Sequence, residues 1–420
     1  MHFGIISPPV SGHIHPFGAL GRELMARGHR VSFLHMPDLA NRVQLEGLDF
    51  VSIGESDHPL GSLPESLNQL AQLQGLAALR FTIDAIGKTT EMICRDAPAA
   101  IRRAGIDALL VDQTEPAGST VADHLGMPFV TVCNALVMSS DMQVPPPFTG
   151  WDYSTTLWSR VRNEVGYRAS RLITRPIERV VQTYRARWKL PRYGTPEESF
   201  STLAQISQQP QIFDFPRRHL PACFHYVGPL RNAHRHIPFP WEKLDGRPLV
   251  YASLGTLQNQ KGHVFRLFAE ACRNLDVQLV ITHGGGLPDD VTASFPGNPV
   301  VVSYAPQLEV LARASLTLTH AGLNTVLDSL ACGVPLVAIP ITYEQPAIAS
   351  RIQWTGVGEV LSLKNVRVSQ LRQKIERVLR IPGYISQARR IKQGINEAGG
   401  VKAAANIIEK SVNLSEAMCP

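Results

Sequence analysis

The stretch "YAPQLEVLARASLTLTHAGLNTVLDSLACGVPLVAIPITYEQ", Tyr304–Gln345, decides how the chain folds. Its apolar run "LTLTH" reads as a buried strand ending at His320, the chain turns through Ala321 and Gly322, and a helix opens near Asn324. A second apolar run, "VPLVAIPI", follows that helix, and strand–helix–strand in this order is a parallel βαβ unit. The first turn of such a helix carries free backbone N–H groups and the positive end of the helix dipole, which suits a diphosphate. Gly322 allows close backbone approach, while His320, Asn324 and Thr325 add side-chain donors. Asp328, four residues beyond Asn324, shares its helix face and can accept from ribose hydroxyls.

The same rhythm runs outward in both directions. Upstream, "PLVYASLG", "VQLVITHGG" and "PVVVSYAP" are strand-like, and "YASLGT" places Ser253, Gly255 and Thr256 in a second small-residue loop suited to phosphate. Nearer the start, "FGIIS", "RVSFLH", "FVSIG", "IDALLVDQ" and "PFVTVC" alternate with helical stretches, the first of them predicted from about Pro16 to Arg27 and closed by Gly28. Proline-rich, irregular sequence interrupts the alternation before it restarts near residue 240. The expected organisation is α/β: a first Rossmann-like domain over 1–214, a linker over 215–247, a second Rossmann-like domain over 248–385, and closing helices over 386–420. Ligands in such sheets sit at the carboxyl ends of strands, where every motif named here falls. There is no Walker loop and no G-x-G-x-x-G after a strand, which disfavours a nucleoside triphosphatase or an NAD enzyme.

Composition narrows the classes further. The 420 residues, 44% hydrophobic and 18% charged, are ordinary for a soluble globular protein with two full cores. A formal charge of +6 over this length implies no nucleic-acid partner. The six cysteines, at 94, 133, 223, 272, 332 and 419, show no Cys-x-x-Cys spacing, so neither a disulfide framework nor a structural zinc is expected. No signal-peptide pattern opens the chain and no apolar run is long enough to span a bilayer. A cytoplasmic location fits these features.

The segment "GHIHP" holds His13 and His15 just after the first strand. The pair could ligate a metal, serve as a base, or cap a helix. No third ligand stands nearby, which argues against metal. A histidine titrates near neutrality, and Asp112, at the end of "ALLVD", can orient one from a neighbouring strand end.

The Tyr304–Gln345 segment resembles the nucleotide-sugar signature of family 1 glycosyltransferases: Trp-Ala-Pro-Gln, Thr-His-x-Gly-x-Asn-Ser, Glu, then Pro-x-x-x-Asp-Gln. "GHIHP" is similar to that family's Gly-His-Ile-Asn-Pro and "LLVDQ" to its strand-end aspartate. Within the family, "THAGLNTVLDSLACGVPLVAIPITYEQPAIASRI" is most similar to bacterial zeaxanthin (carotenoid) glucosyltransferases. The resemblance implies a GT-B fold and an inverting transfer of glucose from UDP-glucose to a hydroxyl of an apolar molecule, such as a carotenoid, sterol, flavonoid or macrolide. It implies His13 as base with Asp112, and His15 where the family commonly has Asn. Tyr304, in place of Trp, stacks on the base beside Ala305, and Gln307 engages the nucleoside. His320, Asn324, Thr325 and Thr256 hold the diphosphate, in the two small-residue loops that also contain Ser253, Gly255 and Gly322. Asp328, in place of Glu, takes the ribose, while Glu344, in place of Asp, and Gln345 take the hexose. No metal and no other cofactor is implied. The acceptor falls to the first domain, around Leu60–Gln74 and Leu136–Trp158, and the helices after about Ser386 cross back to it. A non-catalytic partner of the same fold, and an epimerase or hydrolase acting without an acceptor, are the rival readings.

Between Trp158 and Arg192 stand ten basic residues against Glu164 and Glu178, with apolar residues at helical spacing. One reading is a helix pair that packs its apolar stripe on the first domain and leaves the arginines in water. The other lays the element over 158–192 on an anionic membrane.

Overall fold

A computed structural model describes residues 1–231, 237–256 and 258–418. Residues 232–236, within the stretch read as a linker, and Cys419 and Pro420 at the end of the tail lie outside the described residues. The first sheet contains β1 (His2–Ile6), β2 (Arg30–His35), β3 (Asp49–Ser52), β4 (Ala108–Asp112), β5 (Phe129–Cys133), β6 (Gln205–Ser207) and β7 (Phe224–Tyr226). Its strand order is β3-β2-β1-β4-β5-β6-β7 and every pairing is parallel. The second contains β8 (Leu249–Ser253), β9 (Gln278–Thr282), β10 (Val300–Val302), β11 (Ala314–Thr319), β12 (Leu336–Ala338) and β13 (Gly358–Val360), in the order β10-β9-β8-β11-β12-β13, again all parallel. Both sheets are wound outward from a central pair, β1 with β4 and β8 with β11. Strand order reverses at each pair, which opens a crevice at their carboxyl ends.

Parallel strands buried on both faces need continuous apolar runs, and β1, β4, β8 and β9 are buried at every position. Phe3, Ile5, Phe17, Leu20, Leu24 and Phe33 make the core on one face of the first sheet; Val250, Phe265, Phe268, Leu316 and Leu318 anchor the second.

Four sequence expectations change. The first helix runs Ser11–Ala26, so it starts five residues before Pro16, which lies inside it, and His13 and His15 belong to helix rather than loop. Proline here removes one intrahelical bond, to the Gly12 carbonyl, which accepts from the Asn324 side chain instead. β7 forms inside the stretch read as linker: three residues between prolines suffice for an edge strand, too short to stand out as a period-two pattern. The tail divides, because Pro382–Ala398 packs on the second domain through Ala388, Ile391 and Ile395, and only Gly400–Met418 returns to the first. There Val401, Ala404, Ala405, Ile408 and Val412 join the core of β1, and Glu409 pairs with Arg27 and His29. Finally, the arginine-rich segment is one helix, Leu157–Arg187, whose apolar residues do not all pack. Ile177, Val181 and Tyr184 are buried, whereas Trp158, Val161, Val165 and Leu172 are exposed.

The two domains are tied by a buried ion cluster. Asp214 binds Arg217 and, through 2.8 and 3.0 Å bonds, Arg351, whose side chain is fully enclosed. Burial opposes ionisation of Asp214, yet the two guanidinium groups hold its carboxyl far below the usual carboxylate range.

Candidate active site

Ile6 of β1 stands beside Val111 of β4, so the residues that leave these strands meet at the crevice. His13, in the first turn of the helix after β1, places Nδ1 2.8 Å from Asp112 Oδ2. Asp112 is fully buried and also accepts from Asn134 Nδ2 at 2.9 Å and from the Thr114 backbone and hydroxyl at 2.9 and 2.6 Å. With every carboxylate oxygen occupied, Asp112 has one arrangement to offer the imidazole. The neutral tautomer then carries its proton on Nδ1 and leaves Nε2 as a lone-pair base, in a side chain 18% exposed to the crevice. Burial disfavours the imidazolium, but Asp112 outweighs it and raises the His13 pKa above its ordinary 6.5. Reciprocally, burial resists the Asp112 anion while His13 and Thr114 lower its pKa.

Two further carboxyls face this pair. Glu115, three residues past Asp112, is buried, and that burial pushes its pKa up to about 8. Glu344 comes from the second domain and spans the crevice, its Oε2 accepting the Leu136 backbone N–H at 2.9 Å. Burial raises its pKa, and its field adds to the stabilisation of the His13 cation.

His15 takes no part. It lies 2.7 Å from Glu46, which Arg22 also binds, and these partners bring the Glu46 carboxyl down to about 2 against the opposing effect of burial. Among the described residues no three His, Cys, Asp or Glu are grouped as a metal would require.

Across the crevice, β8 and β11 end side by side. His320 is buried with Nδ1 lacking a hydrogen-bond partner among the described residues, and burial lowers its pKa to about 4, so it is neutral. Two glycines make room for the ring. A Cβ at Gly322 would come within 2.6 Å of it, and one at Gly255, whose φ is +65°, within 3.0 Å. The left-handed residue of this turn is Ala321, with φ 66°, while Gly322 is extended. An alanine held there stores roughly 1–2 kcal/mol of strain. Ser253 and Thr325 are buried in the same wall, and Thr256 is exposed at its rim.

The remaining motif residues form a polar chain. Tyr251 donates to Gln307 Oε1 at 2.9 Å, Gln307 Nε2 donates to Asp328 at 2.6 Å, and Arg231 Nε donates to the other Asp328 oxygen at 2.8 Å. Arg231 also donates to Asn324 Oδ1 at 2.8 Å and to Gln208 at 3.3 Å. Tyr304 is 57% exposed beside Ala305, with its hydroxyl donating to the Gly284 carbonyl, so the "GGG" loop steadies a ring whose face stays open. Gln345 Oε1 caps the backbone N–H groups of Ile341 and Thr342, which fixes the loop carrying Glu344.

Asn324 links the two halves. Its Nδ2 donates at 2.8 Å to the carbonyl of Gly12, in the turn that holds His13. That carbonyl is free because the residue four positions on is Pro16, which has no N–H to return to it. Proline in "GHIHP" therefore leaves a cross-crevice acceptor beside the histidine.

Donor-type residues on one wall and a histidine–aspartate pair on the other suit transfer of a group from a nucleotide to an acceptor. The profile described as UDP-glucoronosyl and UDP-glucosyl transferase matches residues 67–393. The chain belongs to this family. The transferase is 36% identical over 413 residues to the zeaxanthin glucosyltransferase of Pantoea ananas, covering 97% of this chain and 95% of that protein. It is 35% identical over 423 residues to the zeaxanthin glucosyltransferase of Pseudescherichia vulneris, covering 99% of each. Among solved structures, the glycotransferase of kitacinnamycin matches with a TM-score of 0.77 at 22% identity, over 98% of this chain and 99% of that one. The calicheamicin glycosyltransferase matches with 0.76 at 23% identity, over 100% and 99%. The transferase thus has the GT-B fold of two Rossmann-like domains.

Arg231, Glu115 and Gln208 were not singled out in the sequence of the transferase. Arg231 sits in the proline-rich stretch with no periodicity to mark it, and Gln208 just after a three-residue strand. Glu115 offered one signal, a carboxylate in the strand-end loop of Asp112.

Proposed function

We propose that the transferase moves glucose from UDP-glucose to a hydroxyl of an apolar alcohol, with inversion at the anomeric carbon, and that zeaxanthin or a related carotenoid is the acceptor. The observation that carries this reading is the His13–Asp112 pair, with His13 Nε2 open to the crevice and Glu344 facing it from the donor side. The full-length similarity to two zeaxanthin glucosyltransferases supports the acceptor class, and a solved neighbour, the glycosyltransferase VinC, is in complex with DTDP.

In this reading His13 Nε2 takes the hydroxyl proton as the acceptor oxygen bonds to the anomeric carbon. The bond from that carbon to the diphosphate breaks, and UDP leaves with the electron pair. His320, Thr325, Ser253, Thr256 and the helix N-terminus beyond Gly322 receive the developing charge in place of a metal. Tyr304 and Ala305 hold the base, Gln307 and Asp328 the ribose, and Glu344 and Gln345 the hexose hydroxyls. Proton transfer accounts for roughly 10²–10⁴ of the rate, positioning and charge stabilisation for the rest.

The test is a mass-spectrometric screen of the purified protein with UDP-glucose against carotenoid, sterol, flavonoid and macrolide alcohols. Gain of one or two hexoses on zeaxanthin, with a β-linkage by NMR, is expected. Transfer to another alcohol class alone would redirect the acceptor assignment. UDP-glucose consumed as fast without acceptor as with it would refute transfer itself.

A further inference from the structure

The helix Leu157–Arg187 leaves an apolar stripe in water. Trp158, Val161, Val165 and Leu172 are spaced by three, four and seven residues, which aligns them on one helix face, and they are 75%, 49%, 60% and 67% exposed. Leu157 and Ile173 widen the stripe at its ends. The opposite face is occupied: Asn163 donates to the Met142 carbonyl, Tyr167 to that of Val144, and Gly166 lies against Trp151. This half of the helix therefore leans on the 142–151 loop and turns its apolar side outward.

Charge follows the same layout. The helix holds eight arginines against two glutamates, a net +6 that equals the charge of the whole chain. Arg168, Arg171, Arg175 and Arg179 are exposed along the flank of the stripe. Arg185, in contrast, is buried against Asp123 and belongs to the core. An apolar ridge bordered by guanidinium groups matches a bilayer interface, where side chains enter the acyl boundary and cations meet anionic headgroups. A second copy of the chain would set these same arginines against one another.

We propose that this face of the helix docks on an anionic lipid surface. The loop that the helix leans on adds exposed apolar side chains of its own, Phe148 and Met142, with Met138 just before it.

The experiment is co-sedimentation with vesicles of phosphatidylglycerol and phosphatidylcholine in equal parts, against phosphatidylcholine alone, together with light scattering of the lipid-free protein. Sedimentation with the anionic vesicles only, weakened by salt, is expected, with a blue shift of Trp158 emission that Trp158→Ser abolishes. Exchanging Arg171, Arg175 and Arg179 for Gln should reduce partitioning by about 100-fold, roughly fivefold per arginine. Trp158→Ser with Leu172→Ser should weaken it by an independent route, and unchanged melting curves would show that the variants fold. Equal recovery in both lipids, no binding, or a dimer that the Trp158→Ser, Leu172→Ser variant dissociates would overturn the proposal. The assay contains neither donor nor acceptor alcohol, so its result stands apart from that of the transfer screen.

Discussion

Pro16→Ala isolates what proline does in "GHIHP". Alanine restores an N–H within reach of the Gly12 carbonyl, four residues back, which now accepts from Asn324 Nδ2 at 2.8 Å. Removing a proline from a helix returns up to about 3 kcal/mol. Pro16 is buried, however, and losing two ring methylenes costs about 1.6 kcal/mol. The domain should therefore gain about 1 kcal/mol, near the difference of those two effects. The cross-crevice bond, now in competition with an intrahelical donor, weakens by about 1 kcal/mol, the net worth of one hydrogen bond. If that bond holds Asn324 and the two walls in the donor-binding arrangement, UDP affinity falls about fivefold. Calorimetric titration with UDP and thermal melting read the two effects separately: weaker binding with equal or higher melting temperature. A double-mutant cycle with Asn324→Ala should be non-additive, because Pro16 acts through Asn324. Additive effects, or unchanged UDP affinity in Pro16→Ala, would refute the reasoning.

Two other perturbations address the carboxyls around His13. Asp112→Asn removes the anion that raises the His13 pKa and leaves burial to lower it, so the acid limb of kcat/KM should move to lower pH while the rate falls by roughly 10²–10⁴. A limb that stays in place would make Asp112 a purely structural residue. Glu115 keeps a proton in the folded state up to about pH 8 that the unfolded chain releases near its ordinary 4.5. Stability from this residue is thus fully present below pH 4.5 and is lost as pH rises toward 8, at about 1.4 kcal/mol per pH unit. Glu115→Gln should flatten melting temperature against pH over that window, and an unchanged slope would contradict the raised value.

The fold was legible because it rests on continuous apolar runs. "LTLTH", "YASLG" and "ALLVD" are short apolar runs bounded by turn residues, which suit strands buried on both faces, and Gly28 marked the end of the first helix. Elements fixed by long-range contacts were not. β7 exists because β6 offers it an edge, and the first helix starts at Ser11 because the chain after β1 must turn back over the sheet, whatever Pro16 would suggest alone. The site divides in the same way. His13, Asp112 and His320 stand at strand ends, where chemistry is expected from topology. Arg231 has its role only through Asp328 and Asn324, nearly a hundred residues away, and no local pattern encodes that distance. Periodicity located the amphipathic helix 157–187, but only the packing of Tyr167 and Asn163 on the 142–151 loop decides which face is left outside.

The claim that His13, oriented by Asp112, is the base of a glucosyl transfer is tested most directly by His13→Ala, assayed with UDP-glucose and the acceptor identified in the screen. A loss of roughly 10²–10⁴ in turnover with UDP affinity and melting temperature unchanged is the expected result. Full transfer activity in this variant would contradict it.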